Sequence, residues 1–426
     1  MSQKSYLLKN AHIVNPVEGL DYRGCLAIHN GKFILPEQLP EEYETIDLHG
    51  WAAAPGFVDM HVHLRDPGQT QKEDVVSATN AAAAGGFTTV LAMANTVPVI
   101  DTPERYQIFL ASLTGRAVVH VLQSAAITLG RNGCDLTDFS ALAKLGIPVL
   151  TDDGSTPQDD SVMRLAMQRA AKEDLLIVDH CEDNRYSKPG VMHQGAVSER
   201  MHLPGQPRVA EERIVKRDID LCRETGCRIH LQHLSSAGSI ELLRRAQKEG
   251  LPVSGEATPH HLMMTDQAVE RYGVNAKMAP PLREETDRQA LIQALLDGTI
   301  SAIATDHAPH TAAEKAQGML KAPFGIIGLE AAVSLMLTLL YHSGKLTLLQ
   351  FVSFFTSGPA AILHRKNFGT IALGASADLT IFDPEEEWVL DVSKFQSKGR
   401  NCPYDGQQCK GRVKAVFVAG KLLQYE

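Results

Sequence analysis

The sequence predicts an α/β protein: a (β/α)8 barrel accompanied by a small β-sandwich domain that is built from both chain ends. Short apolar runs of strand-forming residues alternate with amphipathic helical stretches through the middle of the chain, whereas both ends carry only strand patterns and Gly-containing turns. In addition, several of the middle strands turn abruptly polar at their last residues, as the strands of a barrel do at its mouth.

The terminal segments predict the β-sandwich. LAIHNGKFI at 26–34 contains two short strands around an Asn-Gly turn, which is a strong hairpin signal. VFVAGKLL at 416–423 repeats the pattern, and LGASADLTIFDP at 373–384 adds a strand bounded by Gly and Pro. The expected domains are residues 1–52 for the first part of the sandwich, 53–365 for the barrel, and 366–426 for the second part of the sandwich.

Eight apolar runs predict the strands of the barrel. Helical patterns accompany most of them, for example IELLRRAQKE at 240–249 and RQALIQALLD at 288–297. A doubly wound parallel sheet is the competing arrangement for the same alternation of strands and helices. The eight expected strands are 54–63, 87–95, 117–127, 147–153, 175–183, 227–236, 253–262 and 300–309.

Composition indicates a cytoplasmic enzyme. The 426 residues include 41 Lys and Arg against 50 Asp and Glu, a net charge of −9, with no basic cluster for nucleic acid. The N-terminus lacks the apolar core of a signal peptide, and the longest apolar stretch, 329–341, is too short to span a bilayer. Seven cysteines fit reduced thiols better than a disulfide framework. We therefore expect neither nucleic-acid nor membrane binding.

Histidines and an aspartate at the strand ends predict a metal site. His61 and His63 form an H-x-H pair on the first strand, and alternating side chains place both on the same side. His180, His233 and Asp306 follow three other strands, whose ends would meet at one mouth. Imidazole and carboxylate ligands suit Zn²⁺, and Asp306 is the natural group for proton transfer beside a metal.

A second metal would need a bridging ligand. Asp153, and with less support Asp152, ends the fourth predicted strand, and a carboxylate offers two oxygens for two ions. An Asx-type turn is the other interpretation of Thr-Asp-Asp-Gly at this place. No lysine lies on the strand, which disfavours a lysine bridge.

Two motifs resemble the dihydroorotase branch of the metal-dependent amidohydrolase superfamily: DMHVHLRDPG at 59–68 and ATDHAPH at 304–310. The resemblance implies a (β/α)8 barrel with a flanking β-sandwich. It also implies the reversible cyclisation of N-carbamoyl-L-aspartate to L-dihydroorotate in pyrimidine synthesis. One or two zinc ions per subunit are implied, in the branch whose bridge is an aspartate. The implied ligands are His61, His63, Asp153 and Asp306 for one zinc, and Asp153, His180 and His233 for the second.

The resemblance also implies the substrate contacts. Arg65, with Asn95 and His63, would bind the free carboxylate of the substrate, although a surface ion pair and a turn would equally suit the first two residues taken alone. Further implied contacts lie after the seventh and eighth strands: Ala279, His310, Phe324 and Gly325.

One position departs from the family. In KMAPPLR at 277–283, Ala279 stands where the family pattern usually has Asn, so a polar substrate contact is missing. His260 and His261 have no ligand role in the family, and we interpret them as a core or supporting pair. The polar segment 310–321 has two interpretations, a lid over the mouth or a plain surface loop.

Two alternatives remain for the function. An allantoinase or hydantoinase would act on a related cyclic amide, but such substrates lack the carboxylate that Arg65 would bind. An inactive scaffold for aspartate transcarbamoylase should have lost metal ligands, yet all six are present. The resemblance implies a homodimer, and association with aspartate transcarbamoylase is compatible with catalysis.

Overall fold

The computed structural model describes residues 4–365 and 367–424. Residues 1–3, 366 and 425–426, which belong to the two predicted sandwich segments, lie outside the described residues. Within the described ranges, no helix is both long enough and apolar enough to cross a membrane.

The strands are β1 Tyr6–Asn15, β2 Leu20–His29, β3 Lys32–Ile34, β4 Glu44–Asp47, β5 Ala52–Pro55, β6 Phe57–Val62, β7 Phe87–Ala92, β8 His120–Gln123, β9 Val149–Leu150, β10 Leu176–Asp179, β11 Met192–His193, β12 Gly205–Gln206, β13 Ile229–Leu231, β14 Val253–Ala257, β15 Ala302–Ile303, β16 Leu379–Val389, β17 Gln408–Val418 and β18 Lys421–Gln424.

The helices are α1 Val75–Ala84, α2 Pro103–Ser112, α3 Phe139–Lys144, α4 Asp160–Lys172, α5 Asn184–Ser187, α6 Ala196–Met201, α7 Val209–Thr225, α8 Ala237–Lys248, α9 Pro259–Met263, α10 Ala268–Tyr272, α11 Glu285–Leu296, α12 Ala312–Lys315, α13 Gly318–Lys321, α14 Leu329–Met336, α15 Leu348–Ser353 and α16 Ser357–Ile362. A π-helical turn, Leu337–Tyr341, continues α14.

In the described part of the chain, eight parallel strands follow one another in a closed circuit. One sheet has the order β6-β7-β8 and the other β9-β10-β13-β14-β15. A parallel bridge between Ala125 and Leu150 joins the first sheet to β9, and one between Val62 and His307 joins the end of β15 to β6. Each predicted strand contains one of these strands, although the paired regions are shorter. Their carboxyl ends therefore share one side of the circuit.

Strands from both termini form a separate sheet, in the order β18-β17-β16-β5-β1-β2-β3 with β4 beside β1. Both predicted hairpins are present, and Asn30 and Gly31 take the positive φ angles of 49° and 74° that the tight β2–β3 turn requires. The sheet has its own core, which includes Leu8, Phe33 and Phe417. Since β5 pairs with β1 and β16, this sheet extends past the expected boundary at residue 52.

Aromatic side chains join the terminal sheet to the parallel strands. The ring of Phe57 on β6 lies 5.9 Å from that of Phe382 on β16, 5.3 Å from that of Phe355, and 6.4 Å from that of Phe87 on β7. All four side chains are buried. The Phe57–Phe382 pair joins the two parts of the chain and contributes about 0.5–1.5 kcal/mol beyond its buried area.

Glu330, near the start of α14, makes stability depend on pH. Its carboxylate accepts hydrogen bonds from the backbone N–H groups of Gln396 (2.8 Å) and Ser397 (3.1 Å), yet burial raises its pKa to about 7. Because the pKa of Glu330 is higher in the folded than in the unfolded protein, its contribution to the free energy of unfolding depends on pH. That contribution is complete below the ordinary pKa of 4.5 and is lost as the pH rises through about 7. Glu330→Gln removes this ionisation but also replaces one of the two accepting oxygens by NH2, so we expect the free energy of unfolding of the variant, relative to the unsubstituted protein, to be higher at about pH 8 than at about pH 5 by on the order of 1–3 kcal/mol.

Thermal unfolding of both proteins at the two pH values measures this difference. An equal difference at both pH values would show that ionisation of Glu330 does not affect folding.

Candidate metal and substrate site

The residues expected to bind metal come together at the carboxyl ends of the parallel strands. They lie within or up to three residues after β6, β9, β10, β13 and β15. Each is at most 7% exposed. These residues are His61, His63, Asp153, His180, His233 and Asp306.

Asp153 and Asp306 face the H-x-H pair. The Nε2 atom of His61 lies 3.2 Å from Asp153 Oδ1 and 3.5 Å from Asp306 Oδ1. The Nε2 atom of His63 lies 3.0 Å from Asp306 Oδ1 and 3.5 Å from Asp153 Oδ2. Two imidazoles and two carboxylates thus direct atoms that can bind a metal toward one point. The alternation of side chains along β6 predicts this for the two histidines.

Two further histidines face Asp153 from the other side. Nδ1 of His180 lies 3.7 Å from Asp153 Oδ1 and 2.9 Å from Nε2 of His233, which is itself 3.9 Å from the same oxygen. Asp153 therefore lies between the two histidine pairs. Donor atoms lie within 4.8 Å of one another in the groups His61–His63–Asp306 and His61–Asp153–His233, a spacing that allows a metal ion in each.

Acceptor groups from neighbouring strands and loops orient two of the imidazoles, and a carboxylate lies near a third. Oε1 of Glu256 lies 2.9 Å from Nδ1 of His61, and Oδ1 of Asn95 lies 3.0 Å from Nδ1 of His63, so that Nε2 of each ring faces the centre. Glu182 Oε2 lies 3.6 Å from Nε2 of His180. Such partners fix the orientation of metal-binding histidines. Sequence reasoning missed both glutamates, although an acidic residue inside the apolar strand β14 was a usable signal for Glu256.

The electrostatics of the cluster favour a bound cation. Burial would raise the pKa of Asp153, but His61, His180 and His233 hold it well below its usual range. Burial likewise opposes the charge of His180, yet Asp153 and Glu182 raise its pKa to about 10. The carboxylates thus stay ionised because the imidazoles supply positive charge, and a metal ion held by the same imidazoles would supply that charge in place of their protons.

Three residues of the site have strained backbone. Arg65, His233 and Asp306 have φ angles of 57°, 33° and 47°, in the left-handed region that costs residues with a Cβ about 1–3 kcal/mol. Such strain persists where the surrounding structure imposes it, and here it sets the direction in which the three side chains enter the site.

A cavity of about 390 Å³ opens beside the cluster. Arg65 is held in it by a hydrogen bond from Nε to the carbonyl oxygen of Pro309 (3.2 Å), and its Nη2 lies 3.2 Å from Nε2 of His310. Burial lowers the pKa of Arg65 to about 10, so the guanidinium is still charged at neutral pH. All expected substrate contacts line this cavity: His63, Arg65, Asn95, Ala279, His310, Phe324 and Gly325.

The structure distinguishes some of the alternatives left open by the sequence. Among the described residues, Arg65 has no carboxylate partner at the surface, and Asn95 contacts His63 and the carboxylate of Asp153 (3.4 Å). Asp152 is bound elsewhere, because its Oδ1 accepts from the backbone N–H groups of Ile127 (2.9 Å) and Thr128 (3.1 Å).

The His260-His261 pair is buried, as expected for a core pair. His261 lies 2.8 Å from Thr258 Oγ1 and 3.0 Å from the carbonyl oxygen of Pro280. Nε2 of His260 has no hydrogen-bond partner within residues 4–365 and 367–424.

The chain is similar in sequence to proteins that are named Dihydroorotase. A family model described as "Dihydro-orotase-like" matches residues 50–239. The chain is 46% identical over 421 residues to a protein named Dihydroorotase from Geobacillus sp. (strain WCH70), with 98% of each covered. It is 42% identical over 419 residues to a protein of that name from Elusimicrobium minutum (strain Pei191), covering 98% of this chain and 97% of the other.

Among solved structures, the L-hydantoinase (dihydropyrimidinase) from Arthrobacter aurescens is similar over 100% of this chain and 96% of its own, with a TM-score of 0.88 and 25% identity.

Proposed function

The chain belongs to the dihydroorotase family, and from that premise we propose how its cavity interconverts L-dihydroorotate and N-carbamoyl-L-aspartate. The protein is a metal-dependent hydrolase that acts on a cyclic amide C–N bond, and its reaction is a step of de novo pyrimidine synthesis. The observation that carries the proposal is the half-buried arginine, Arg65, in the same cavity as the cluster of histidines and aspartates. Hydrolysis of a cyclic amide that bears a carboxylate needs a cation to bind the carboxylate and a metal site to act on the amide.

The circuit of parallel strands with its helices corresponds in this proposal to a (β/α)8 barrel, and the sheet of terminal strands to the β-sandwich domain. The overall similarity to hydantoinase supports it. The expected domain boundary at 365/366 is retained, and the first boundary moves to about residue 55, since β5 pairs within the terminal sheet.

The metal in this proposal is zinc, with one or two ions per subunit. The donor set fits it, because four imidazoles and two ionised carboxylates are buried with their donor atoms facing one another. One ion would be held by His61, His63, Asp153 and Asp306, and the second by Asp153, His180 and His233. When bound, zinc supplies a Lewis acid that polarises the substrate carbonyl and lowers the pKa of water.

Asp306 is the catalytic base and acid in this proposal. In hydrolysis, the oxygen of water attacks the ring carbonyl carbon, and Asp306 accepts the proton that the water loses. As the C–N bond breaks, Asp306 delivers this proton to the leaving ring nitrogen. In the biosynthetic direction Asp306 removes a proton from the ureido nitrogen, which then attacks the carboxyl carbon. Asp306 gives this proton to one carboxyl oxygen, and that oxygen takes a second proton from solvent and leaves as water.

Arg65 and Asn95 recognise the carboxylate of the substrate in this proposal. A guanidinium binds a carboxylate through two parallel hydrogen bonds, which gives direction as well as affinity. Asn95 lies beside it, with its amide next to His63 and Asp153. His310, Phe324 and Gly325 line the same cavity, with His310 next to Arg65. Since the protein carries a net charge of −9, recognition of this anion depends on the local positive charge of Arg65.

The test is hydrolysis of three cyclic amides by the zinc-loaded protein: L-dihydroorotate, allantoin and dihydrouracil. We expect turnover of L-dihydroorotate and little of the other two, because they lack the carboxylate. Preference for allantoin or dihydrouracil would instead support the allantoinase or hydantoinase alternative. Metal binding without turnover of any of them would support the inactive scaffold.

The departure at Ala279 gives a separate prediction. Ala279 lines the cavity and offers no side-chain hydrogen bond. An added amide would supply the contact that the family pattern usually contains, and one hydrogen bond contributes about 0.5–1.5 kcal/mol. We expect Ala279→Asn to lower KM for L-dihydroorotate by about 2- to 12-fold with little change in kcat.

Steady-state kinetics of Ala279→Asn and, as a control of similar size without the amide donor, Ala279→Leu would test this. A higher KM in both variants would show that the cavity has no room at this position.

A homodimer, association with aspartate transcarbamoylase and a cytoplasmic location stay predictions from the sequence.

A further inference from the structure

A segment near the C-terminus, 397–401, holds one wall of the cavity from outside the parallel strands. It lies between β16 and β17 of the terminal sheet. A Cβ added at Gly399 would come within 3.0 Å of Pro309 Cβ and 2.7 Å of Ile327 Cγ2. The segment therefore packs directly on the two backbone stretches that carry the substrate contacts after β15.

Asn401 connects the segment to both stretches. Its side chain is buried, and Nδ2 donates to the carbonyl oxygens of Ala308 (3.0 Å) and Gly325 (3.1 Å). Its Oδ1 accepts from the backbone N–H of His310 (3.2 Å). Both N–H groups and the oxygen of the amide are thus used on backbone of the cavity wall. The two stretches also pair with each other, from Ala308 N to Ile326 O at 2.8 Å.

The side chains that face the substrate depend on these stretches. Arg65 donates from Nε to the carbonyl oxygen of Pro309 at 3.2 Å, and its Nη2 lies 3.2 Å from Nε2 of His310. Nε2 of His310 in turn lies 2.9 Å from the carbonyl oxygen of Phe324. A shift of residues 308–310 relative to 324–325 would therefore move the guanidinium and the imidazole together.

We propose that Asn401 is a positioning residue for substrate binding, which sets the geometry of Arg65 and His310 through the backbone of Ala308, His310 and Gly325. This inference rests on the proposed function. None of the side-chain hydrogen bonds of Asn401 goes to the imidazoles or carboxylates of the candidate metal cluster. Loss of the amide should consequently affect substrate binding more than metal binding.

Segment 397–401 is also held by contacts other than the side chain of Asn401, so a substitution of Asn401 should leave the segment in place. The buried carboxylate of Glu73 accepts hydrogen bonds from Ser397 Oγ and from Lys398 N (3.2 Å), and it lies 3.3 Å from Nε2 of His307. The backbone oxygen of Asn401 also accepts from Ile327 N (3.0 Å), a bond that no side-chain substitution removes.

The test compares Asn401→Asp with Asn15→Asp. Asn401→Asp keeps the shape of the side chain and the oxygen that accepts from the backbone N–H of His310. It replaces the NH2 group by an oxygen, which then faces the carbonyl oxygens of Ala308 and Gly325. Asn15 is likewise a buried asparagine in the terminal part of the chain, at the end of β1, and its Oδ1 meets no donor within the described residues. The same substitution there controls for burying a carboxylate.

For the zinc-loaded proteins we expect Asn401→Asp to raise KM for L-dihydroorotate by about tenfold or more, with a smaller change in kcat and an unchanged zinc content. Asn15→Asp should leave KM unchanged. Amide hydrogen exchange at Ala308, His310 and 325–327 should be faster in Asn401→Asp alone, and exchange in 57–62 should not change.

An unchanged KM and unchanged exchange at Asn401→Asp would overturn the proposal, and so would a loss of zinc in parallel with activity. Hydrogen exchange needs no substrate. If the wild-type protein failed to hydrolyse L-dihydroorotate, the proposed function would fail, while the exchange comparison would still decide whether Asn401 orders the wall.

Discussion

Asp306→Asn is expected to lower kcat for L-dihydroorotate hydrolysis by about 10²–10⁴-fold while the protein keeps most of its metal, since general acid–base catalysis accounts for a factor of this size. An asparagine side chain retains an oxygen in the position of Oδ1, which lies 3.0 Å from Nε2 of His63. It cannot, however, accept the proton of water and return it to the ring nitrogen. The metal site should therefore persist while proton transfer is lost.

Metal content and kcat are measured on the same preparation of the variant. Asp152→Asn is the matched control, because Asp152 is also a buried aspartate near the mouth but binds the backbone at 127–128. It should retain kcat per folded molecule. Near-normal kcat in Asp306→Asn would refute the acid–base role, and loss of all metal would show that Asp306 acts mainly as a ligand.

Arg65→Met is expected to raise KM for L-dihydroorotate strongly. The substitution leaves a side chain of similar length but removes the charge from a half-buried place in the cavity, where Arg65 is held against Pro309 and His310. Removing one member of a buried charge pair costs about 2–5 kcal/mol. This corresponds to an increase of KM between about 30-fold and several thousandfold.

Two comparisons isolate the carboxylate contact. Arg131→Met removes a nearby guanidinium that binds the carbonyl oxygen of Asp152 (3.2 Å), and it should change KM little. KM for dihydrouracil, if the protein turns it over at all, should be insensitive to Arg65→Met because this substrate has no carboxylate. Equal effects on both substrates would contradict the proposed role of Arg65.

Local patterns in the sequence were sufficient to predict the strands and the convergence of the histidines and aspartates at the strand ends. Each of the eight apolar runs contains a strand of the parallel circuit, since apolar runs bounded by polar residues are a local signal. The H-x-H spacing placed His61 and His63 on one side of β6, and the polar strand ends placed Asp153 and Asp306 opposite them. Because the strands are parallel, the residues that follow them lie together at one end of the circuit.

Contacts made by long-range packing were not predictable in the same way. Glu256 orients His61 from another strand, 195 residues away in sequence, and only the order of strands around the circuit brings them together. In the sequence, Asn401 is indistinguishable from an ordinary loop asparagine. Its proposed role depends on how the segment between β16 and β17 packs against the cavity wall. The exact start of β6 was also missed, because β5 and β6 form one continuous apolar run.

The most direct test of the account is a crystal structure of the zinc-loaded protein with N-carbamoyl-L-aspartate, with anomalous diffraction to identify the metal. We predict zinc between the H-x-H pair and Asp153 and Asp306, with a substrate carboxylate on the guanidinium of Arg65. Zinc bound elsewhere, or a substrate whose carboxylates both lie away from Arg65, would contradict the account.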